Sequence, residues 1–149
     1  MSSTRPITQE QAAEFRGLFF GEGHIDLSRA GRGTSLMPRL RIAVRDDDAE
    51  IAEWCRSLLG GNLSRSVRTR SICWQLTGRA AVLEAVEILE GGTLPSKKRA
   101  EVALLREALT LVPRRGQHIK PEVSTRLHAI REEMKAVRVY VAAAERAVA

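Results

Sequence analysis

The chain lacks the features that define several common classes of protein. Its two cysteines, Cys55 and Cys73, cannot build the disulfide framework of a small secreted protein, so we expect reduced, buried or half-buried thiols. Its three histidines are scattered, and no Cys/His spacing typical of a zinc site occurs. No apolar run reaches the roughly 18 residues of a membrane span, and the N-terminus has no signal-peptide pattern. We therefore expect a cytoplasmic protein without a membrane partner.

Positive charge, in contrast, is abundant and unevenly distributed. The formal net charge is +6 and the pI is near 10.1, which indicates an acidic partner such as nucleic acid or an anionic membrane. Segments 24–45 and 62–79 contain nine of the 24 basic residues and one of the 18 acidic residues. A merely solvated surface would mix both signs, as the helical segments do. The charge therefore predicts a binding face built from two short stretches.

The pattern of apolar residues predicts a single α+β domain over residues 1–149. Thr8 and Gln11 form a capping box for a helix that starts near Gln9 and stops at Gly23. Alternation of apolar and polar residues then predicts two strands joined by a loop. The inward-facing residues of these strands are Ile25, Leu27, Leu40, Ile42 and Val44.

The same succession occurs a second time. Asp47 can cap a second helix that runs to Gly60, and Gly78 opens a third helix. Between them, inward-facing apolar residues alternate around a turn near Thr69 and Arg70, and they are Leu63, Val67, Ile72, Trp74 and Leu76. The predicted order is αββαββα over a core of about residues 8–112.

A C-terminal helical extension covers about residues 113–149. Ser96 is the expected cap of a helix that precedes it and ends before Pro113, and a long helix follows Pro121. The long helix has apolar residues spaced 4, 3, 4, 3 and 4 apart, which are Val123, Leu127, Ile130, Met134, Val137 and Val141. This spacing fits a helix packed on the body of the protein or an intermolecular coiled coil, and we expect the former.

A nonapeptide in the first helix, Phe15-Arg16-Gly17-Leu18-Phe19-Phe20-Gly21-Glu22-Gly23, resembles the LAGLIDADG motif of homing endonucleases. Gly17 and Gly21 lie on one helix face, where missing side chains let two helix backbones approach closely. The αββαββα order, the basic strands and the pair Lys97-Lys98 resemble the rest of that family's domain, over residues 10–112. Arg16 and Phe20 depart from the pattern, which has a small residue and an acid at these positions.

The resemblance implies how the chain is assembled and what it binds. In this family, two motif helices pack side by side, and two four-stranded antiparallel sheets form a saddle over double-stranded DNA. A chain with one motif would therefore act as a homodimer on a palindromic or near-palindromic site. The expected dimer interface consists of Phe15, Gly17, Leu18 and Gly21.

The resemblance also implies the catalytic residues. Glu22 would bind Mg²⁺, with Mn²⁺ able to substitute, together with the backbone carbonyl of Gly21 from the other subunit. Lys97 or Lys98 would lie near the attacking water, and the alternatives for the pair are not resolved. Asp46 is either the polar active-site residue at the end of the second strand or a helix cap. No small-molecule organic cofactor is expected.

Strand alternation assigns the residues that would contact DNA. Outward polar and basic side chains suit base edges, whereas basic residues in loops or at off-parity positions suit phosphates. The outward set is Asp26, Ser28, Arg39, Arg41, Arg45, Ser64, Ser66, Arg68, Cys73 and Gln75, and the phosphate set is Arg29, Arg32, Arg65 and Arg70. His24 is either a nuclease base or a DNA-facing strand residue, and the resemblance favours the second. Trp54 and Trp74 are expected in the core.

The sequence thus predicts a homodimeric, metal-dependent DNA endonuclease, associated with the nucleoid, that cuts both strands of one long site. The target, and whether a mobile intron, an intein or a free-standing gene encodes the enzyme, stay open. One alternative is a cleavage-deficient DNA-binding regulator or RNA-splicing maturase on the same fold. Another, outside the family, is a helical structural protein with a basic face. Glu22 favours the nuclease, because a protein that only binds DNA has no need of the metal-binding carboxylate.

Overall fold

Helices and strands follow one another along the chain in the predicted order. The computed structural model describes residues 6–29, 35–114 and 116–148, the last ten of them as main chain only. The elements are α1 (Gln9–Glu22), β1 (Gly23–Arg29), β2 (Leu36–Arg45), α2 (Ala49–Leu59), β3 (Asn62–Ser66), β4 (Ser71–Thr77), α3 (Arg79–Glu90), α4 (Ser96–Leu111) and α5 (Pro121–Val148). The α+β class and the αββαββα core with additional C-terminal helices are confirmed.

The four strands form one antiparallel sheet in the order β1-β2-β4-β3. Its inner face carries apolar side chains that pack against the helices, as the alternation predicts, with Leu40 opposite both Ile25 and Leu76. Val67 is an exception, since its side chain is 87% exposed. Strand β3 ends at Ser66, and a turn over residues 67–70 takes Val67 off the sheet. The prediction that Val67 faces inward is therefore wrong.

Helix α1 begins and ends as the sequence predicts. The Thr8 hydroxyl accepts a hydrogen bond from the Gln11 N–H at 3.1 Å, and the Gln11 side chain accepts one from the Thr8 N–H at 3.0 Å. At the other end, a Cβ atom on Gly23 would lie 2.4 Å from the Phe19 ring. Glycine is therefore required where the chain passes over Phe19 and enters β1.

Two predicted helix caps are wrong. Asp47 lies inside a 3₁₀ turn, Asp46–Asp48, that leads directly into α2, and no side chain caps that helix. Three consecutive carboxylates at the positive end of the helix dipole can stabilise this start without a cap. Ser96 is the first residue of α4 rather than its cap, because Pro95 occupies the cap position with a φ of −61°.

Helix α5 packs on the body of the protein, as expected. Leu127, Ile130 and Met134 are buried in the same core as the sheet and the other helices. Val141 lies outside the residues whose side chains are described. Further along α5, Arg138 donates a hydrogen bond to the main-chain carbonyl of Ile25 in the edge strand β1. The helix thus covers the free edge of the sheet at that strand.

Both cysteines are free thiols, as predicted. Burial raises the pKa of Cys55 to about 12, so this thiol stays protonated and inert. Cys73 is half-buried on the outer face of β4, and burial raises its pKa as well. Across the described parts of the chain, no helix is long and apolar enough to cross a membrane.

Candidate active site and nucleic-acid interface

Helix α1 has two different faces. Phe15 and Phe19 are fully buried, and the Phe15 ring lies 5.9 Å from that of Trp74 in an edge-on arrangement. The prediction that Phe15 forms the dimer interface is therefore wrong, since its side chain is enclosed within the subunit. The opposite face carries Gly17 and Gly21, and beside them the Phe20 side chain is 52% exposed.

Neither Gly17 nor Gly21 is required by packing within the subunit. A Cβ atom at either position would meet nothing within 4 Å. Each glycine nevertheless costs the helix about 1 kcal/mol relative to alanine. The two positions therefore have an energetic cost that the isolated subunit does not explain.

Arg16, which departs from the motif pattern, points away from the glycine face. Its Nη1 atom donates a hydrogen bond to the Ile88 carbonyl at 3.0 Å, near the end of α3. A Cβ atom on Gly92 would lie 2.3 Å from the Arg16 Nε atom. Arg16 thus places a positive charge at the negative end of the α3 dipole, close to Gly92, and it also lines an open hollow beside Gly17 and Phe20.

Lys98 lies against the end of the motif helix. Its Nζ atom donates a hydrogen bond to the Gly23 carbonyl and lies 5.4 Å from the centre of the Phe19 ring. Burial lowers the pKa of Lys98, and the negative charge of Glu101 partly opposes that shift. Among the described residues, such contacts with α1 are found for Lys98 and not for Lys97.

A buried carboxylate behind Lys98 was missed by the sequence reasoning. Glu101 is 2% exposed, lies 3.9 Å from the Lys98 Nζ atom and accepts a hydrogen bond from the Arg138 Nε atom at 3.1 Å. Burial of this carboxylate is compensated by the two cations. The sequence signal that could have revealed Glu101 is its spacing of three residues from Lys98, because residues three apart on a helix are neighbours.

The end of α1 offers oxygen ligands suited to a hard divalent cation. Glu22 is exposed there, and the Gly21 carbonyl is one of the last four of the helix, which have no partner within it. The negative end of the helix dipole adds to their attraction for a cation. Within the described ranges, no three His, Cys, Asp or Glu side chains cluster to hold a metal. One subunit thus offers one carboxylate and one main-chain carbonyl as oxygen ligands for such a cation.

Asp46 lies exposed at the end of β2. Its main-chain N–H donates to the Arg70 carbonyl at 2.9 Å, which ties this turn to the second hairpin. The helix-cap alternative is wrong, because the cap position of α2 is Asp48 and that of the 3₁₀ turn is Arg45. An active-site role for Asp46 stays a prediction.

Asp26 organises the outer face of the first hairpin. Its carboxylate accepts two hydrogen bonds from Arg39, both at 2.8 Å, and one from Arg41 at 3.1 Å. Arg39 also donates to the Gln75 side chain at 3.2 Å. Burial alone would raise the pKa of Asp26, but the Arg39 hydrogen bond and the two positive charges lower it below its ordinary value. Two predicted DNA-contacting arginines are thus fixed in place before any ligand binds.

His24 and Ser28 lie on the same outer face of β1. The His24 Nε2 atom is 3.7 Å from the Asp26 carboxylate. Burial lowers the pKa of His24, and the charges of Arg138 and Arg41 lower it further. The ring is therefore neutral at pH 7. Arg29, at the end of β1, is exposed, and Arg32 lies outside the described residues.

The second hairpin presents a polar outer face and exposed arginines. Ser64 pairs with Cys73 and Ser66 with Ser71, and Gln75 continues the face along β4. Arg68 lies in the turn rather than in a strand, which corrects its predicted strand position, and Arg45, Arg65 and Arg70 are exposed at the ends or edge of the sheet. Asn62 and Thr77 share the outer face and were missed, although one further step of the alternation would have included them.

The comparisons with known proteins identify this architecture. No family model and no curated protein matches the chain. Among solved structures, the homing endonuclease I-TnaI superimposes with a TM-score of 0.71 at 20% identity, over 87% of this chain and 95% of that one.

Two further structures show the same likeness. I-CvuI, described with the I-CreI target in the presence of Mg, has a TM-score of 0.74 at 16% identity, over 87% of this chain and 82% of that one. I-LtrWI, bound to target DNA, has a TM-score of 0.70 at 15% identity, over 83% of this chain and 45% of that one. The chain thus spans about half of I-LtrWI but most of I-TnaI and I-CvuI. Its fold is that of the LAGLIDADG homing endonucleases.

Proposed function

We propose that this protein is a site-specific, divalent-metal-dependent DNA endonuclease that acts as a homodimer on a palindromic or pseudo-palindromic site. One observation carries the proposal: an exposed carboxylate, Glu22, ends a helix whose exposed glycine face has no use within the subunit, beside a sheet with a basic outer face. The solved neighbours support it, since I-LtrWI is bound to target DNA and I-SmaMI to an uncleaved target with calcium.

The dimer rests on the surface around Gly17 and Gly21. Beside them lies an open, mainly apolar hollow of about 540 Å³, lined by Ala13, Phe20 and Leu94 among others. Close approach of two α1 helices at the glycines would bury Phe20 and remove this apolar surface from water. A two-fold axis between the helices would also bring two Glu22 carboxylates and two Gly21 carbonyls together, which would complete the ligand set.

The roles of the chain's own residues follow from the placement of Lys98. Glu22 and Gly21 would hold the cation, which when bound supplies activation of water and neutralisation of the leaving oxygen. Lys98 is fixed at the Gly23 carbonyl and over Phe19, so its ammonium group lies one residue beyond the ligand pair. From there it can neutralise charge on the attacked phosphate or orient the water. In each subunit, the outer face of the sheet would bind the part of the duplex that flanks the cleavage site.

Replacing Glu22 with glutamine tests the nuclease function. The variant keeps the size of the side chain but removes the charge that attracts the cation, so cleavage should fall by about 10³-fold or more. Binding should persist or tighten slightly, because the variant loses a carboxylate that faces phosphates. The measurement is a gel assay of sites selected from a randomised DNA library, with Mg²⁺ and with EDTA, using Glu53→Gln on the exposed face of α2 as the matched control.

Two results would contradict the proposal in different ways. Cleavage by Glu22→Gln at the wild-type rate would remove Glu22 as a metal ligand. Binding without cleavage by the wild type on every selected site would favour the regulator or maturase instead.

Gly21→Val tests the dimer. If α1 packs against a second α1, the added side chain should separate the helices and shift the protein to monomers in sedimentation at micromolar concentration. Ala103→Val, at an exposed position of α4, adds similar bulk elsewhere and should leave the dimer intact. A wild-type protein that sediments as a monomer on its target DNA would contradict the dimer.

A further inference from the structure

A basic hollow of about 380 Å³ lies where α5 covers the free edge of β1. We define this basic hollow by its charged lining, which is Asp26, Arg29, Arg39, Arg131, Lys135 and Arg138. The three α5 residues are spaced four and three apart, so they share one face of the helix. His24, Asp26 and Ser28 belong to the outer face of β1, so the hollow opens on the same side as the candidate DNA surface.

Of the five cations that line the hollow, Arg39 is paired with Asp26 and Arg138 with the buried Glu101, which leaves Arg29, Arg131 and Lys135. Its one lining carboxylate, Asp26, is occupied by Arg39 and Arg41. Lys135 pairs with Glu132 at 2.9 Å, but both side chains are at least half exposed, so the pair contributes little. Among the described residues, neither Arg29 nor Arg131 forms an ion pair. The hollow therefore attracts an anion.

The width of the sheet bears on which anion the hollow could take. Four strands at a spacing of about 4.8 Å span roughly 14 Å, close to the roughly 12 Å width of the DNA major groove. A sheet that fills the groove places its outer neighbour beneath the sugar–phosphate backbone that borders the groove. At the β1 edge that neighbour is α5.

We propose that the basic hollow binds a backbone phosphate of the duplex, so that α5 forms part of the DNA interface. This inference rests on the proposed DNA binding but not on cleavage. Because phosphates carry no sequence information directly, the hollow would contribute affinity and register without discriminating between base sequences.

The test is the double variant Arg131→Gln/Lys135→Gln, which leaves Arg138 and its structural contacts unchanged. Its matched control is Arg56→Gln/Arg106→Gln, which removes the same charge from α2 and α4. The dissociation constant is measured for a selected target and for an unrelated duplex at several salt concentrations. Thermal unfolding checks that both variants fold.

The hollow variant should bind both duplexes more weakly by the same factor. If the variant no longer neutralises this phosphate, the slope of log K against log salt should become shallower by about 0.9 per subunit, or about 1.8 for a dimer. The control should keep the wild-type slope. Equal slopes for the two variants would overturn the proposal, and so would a loss confined to the selected target. A wild type that binds no duplex would overturn the proposed function as well.

Discussion

The two hairpins of the sheet hold their arginines in different ways. In β1–β2, Arg39 and Arg41 are anchored by the Asp26 carboxylate. In β3–β4 and its turn, Arg65 and Arg68 are exposed and, within the described residues, form no ion pair. An anchored guanidinium has lost its conformational freedom before it binds, whereas each free one costs about 0.5–1.5 kcal/mol to order. Under the proposed DNA binding, Arg39 and Arg41 are thus suited to reading bases, and Arg65 and Arg68 to attracting phosphates.

The largest effect is expected for Asp26→Asn, which removes the anchor of the first hairpin. Removing the carboxylate frees both arginines and leaves them partly buried without their partner, so the free energy of unfolding should fall by about 2–3 kcal/mol. Discrimination between the selected target and a mismatched site should also fall, while affinity for unrelated DNA rises with the added positive charge. Urea unfolding and competition binding measure the two effects.

The control for this variant is Asp47→Asn, which breaks the exposed pair with Arg45 at 3.2 Å. It changes the net charge equally but should alter stability by no more than about 0.5 kcal/mol. If Asp26→Asn and Asp47→Asn lowered the free energy of unfolding equally, the contacts of Asp26 with Arg39 and Arg41 would not stabilise the hairpin beyond an exposed ion pair.

A smaller effect is expected when the free arginines are removed. Arg65→Gln/Arg68→Gln should weaken binding to all duplexes alike and leave stability unchanged, because both side chains are exposed. The wild-type dimer should show a slope of log K against log salt near −9 if it neutralises roughly ten phosphates, and the variant a shallower one. A wild-type slope shallower than about −3 would contradict the proposal that the two basic sheets form a saddle on the DNA. A loss of discrimination as large as that of Arg39→Gln would erase the difference between the hairpins.

The smallest effect concerns pH and is confined to the first hairpin. Burial first, then Arg138 and Arg41, lower the pKa of His24 below 6.5, so the unfolded chain binds this proton more readily than the folded one. The free energy of unfolding therefore loses nothing to His24 above pH 6.5. It decreases as the pH falls below 6.5 towards the pKa of His24 in the folded protein. His24→Gln should flatten this part of the profile in urea unfolding between pH 7.5 and 5.5, whereas His118→Gln, at an exposed position, should not.

Periodicity predicted most of the fold, because alternation and capping are local properties of the chain. It could not predict which side of α1 is buried, since Phe15, Leu18, Phe19 and Phe20 place apolar groups around the whole helix. Nor could it separate Lys97 from Lys98. Adjacent residues differ by about 100° around a helix, so the choice depends on where α4 starts, and Pro95 rather than Ser96 sets that start.

Local sequence patterns could not predict the contacts of Asp26 with Arg39 and Arg41, for a different reason. It depends on the cross-strand register that sets Asp26 opposite Arg39, and that register depends on how the chain closes the first hairpin. Alternation showed that both residues face outward, but it could not show that they are partners. Likewise, α5 was expected to pack on the body, yet its contact with β1 is a tertiary feature that leaves no local periodicity.

The position of α5 beside β1 also limits how the protein can aggregate. An uncovered edge strand is a template for another strand, and sheets that keep adding strands grow into fibres. Here the Ile25 carbonyl on one border of the sheet is already occupied by Arg138, and β3 on the opposite border has only five residues, one of them Arg65. Neither border is a good template for open-ended growth. In the proposed dimer, the second copy packs on the glycine face of α1 instead, and a closed two-fold pair of this kind does not propagate into a fibre.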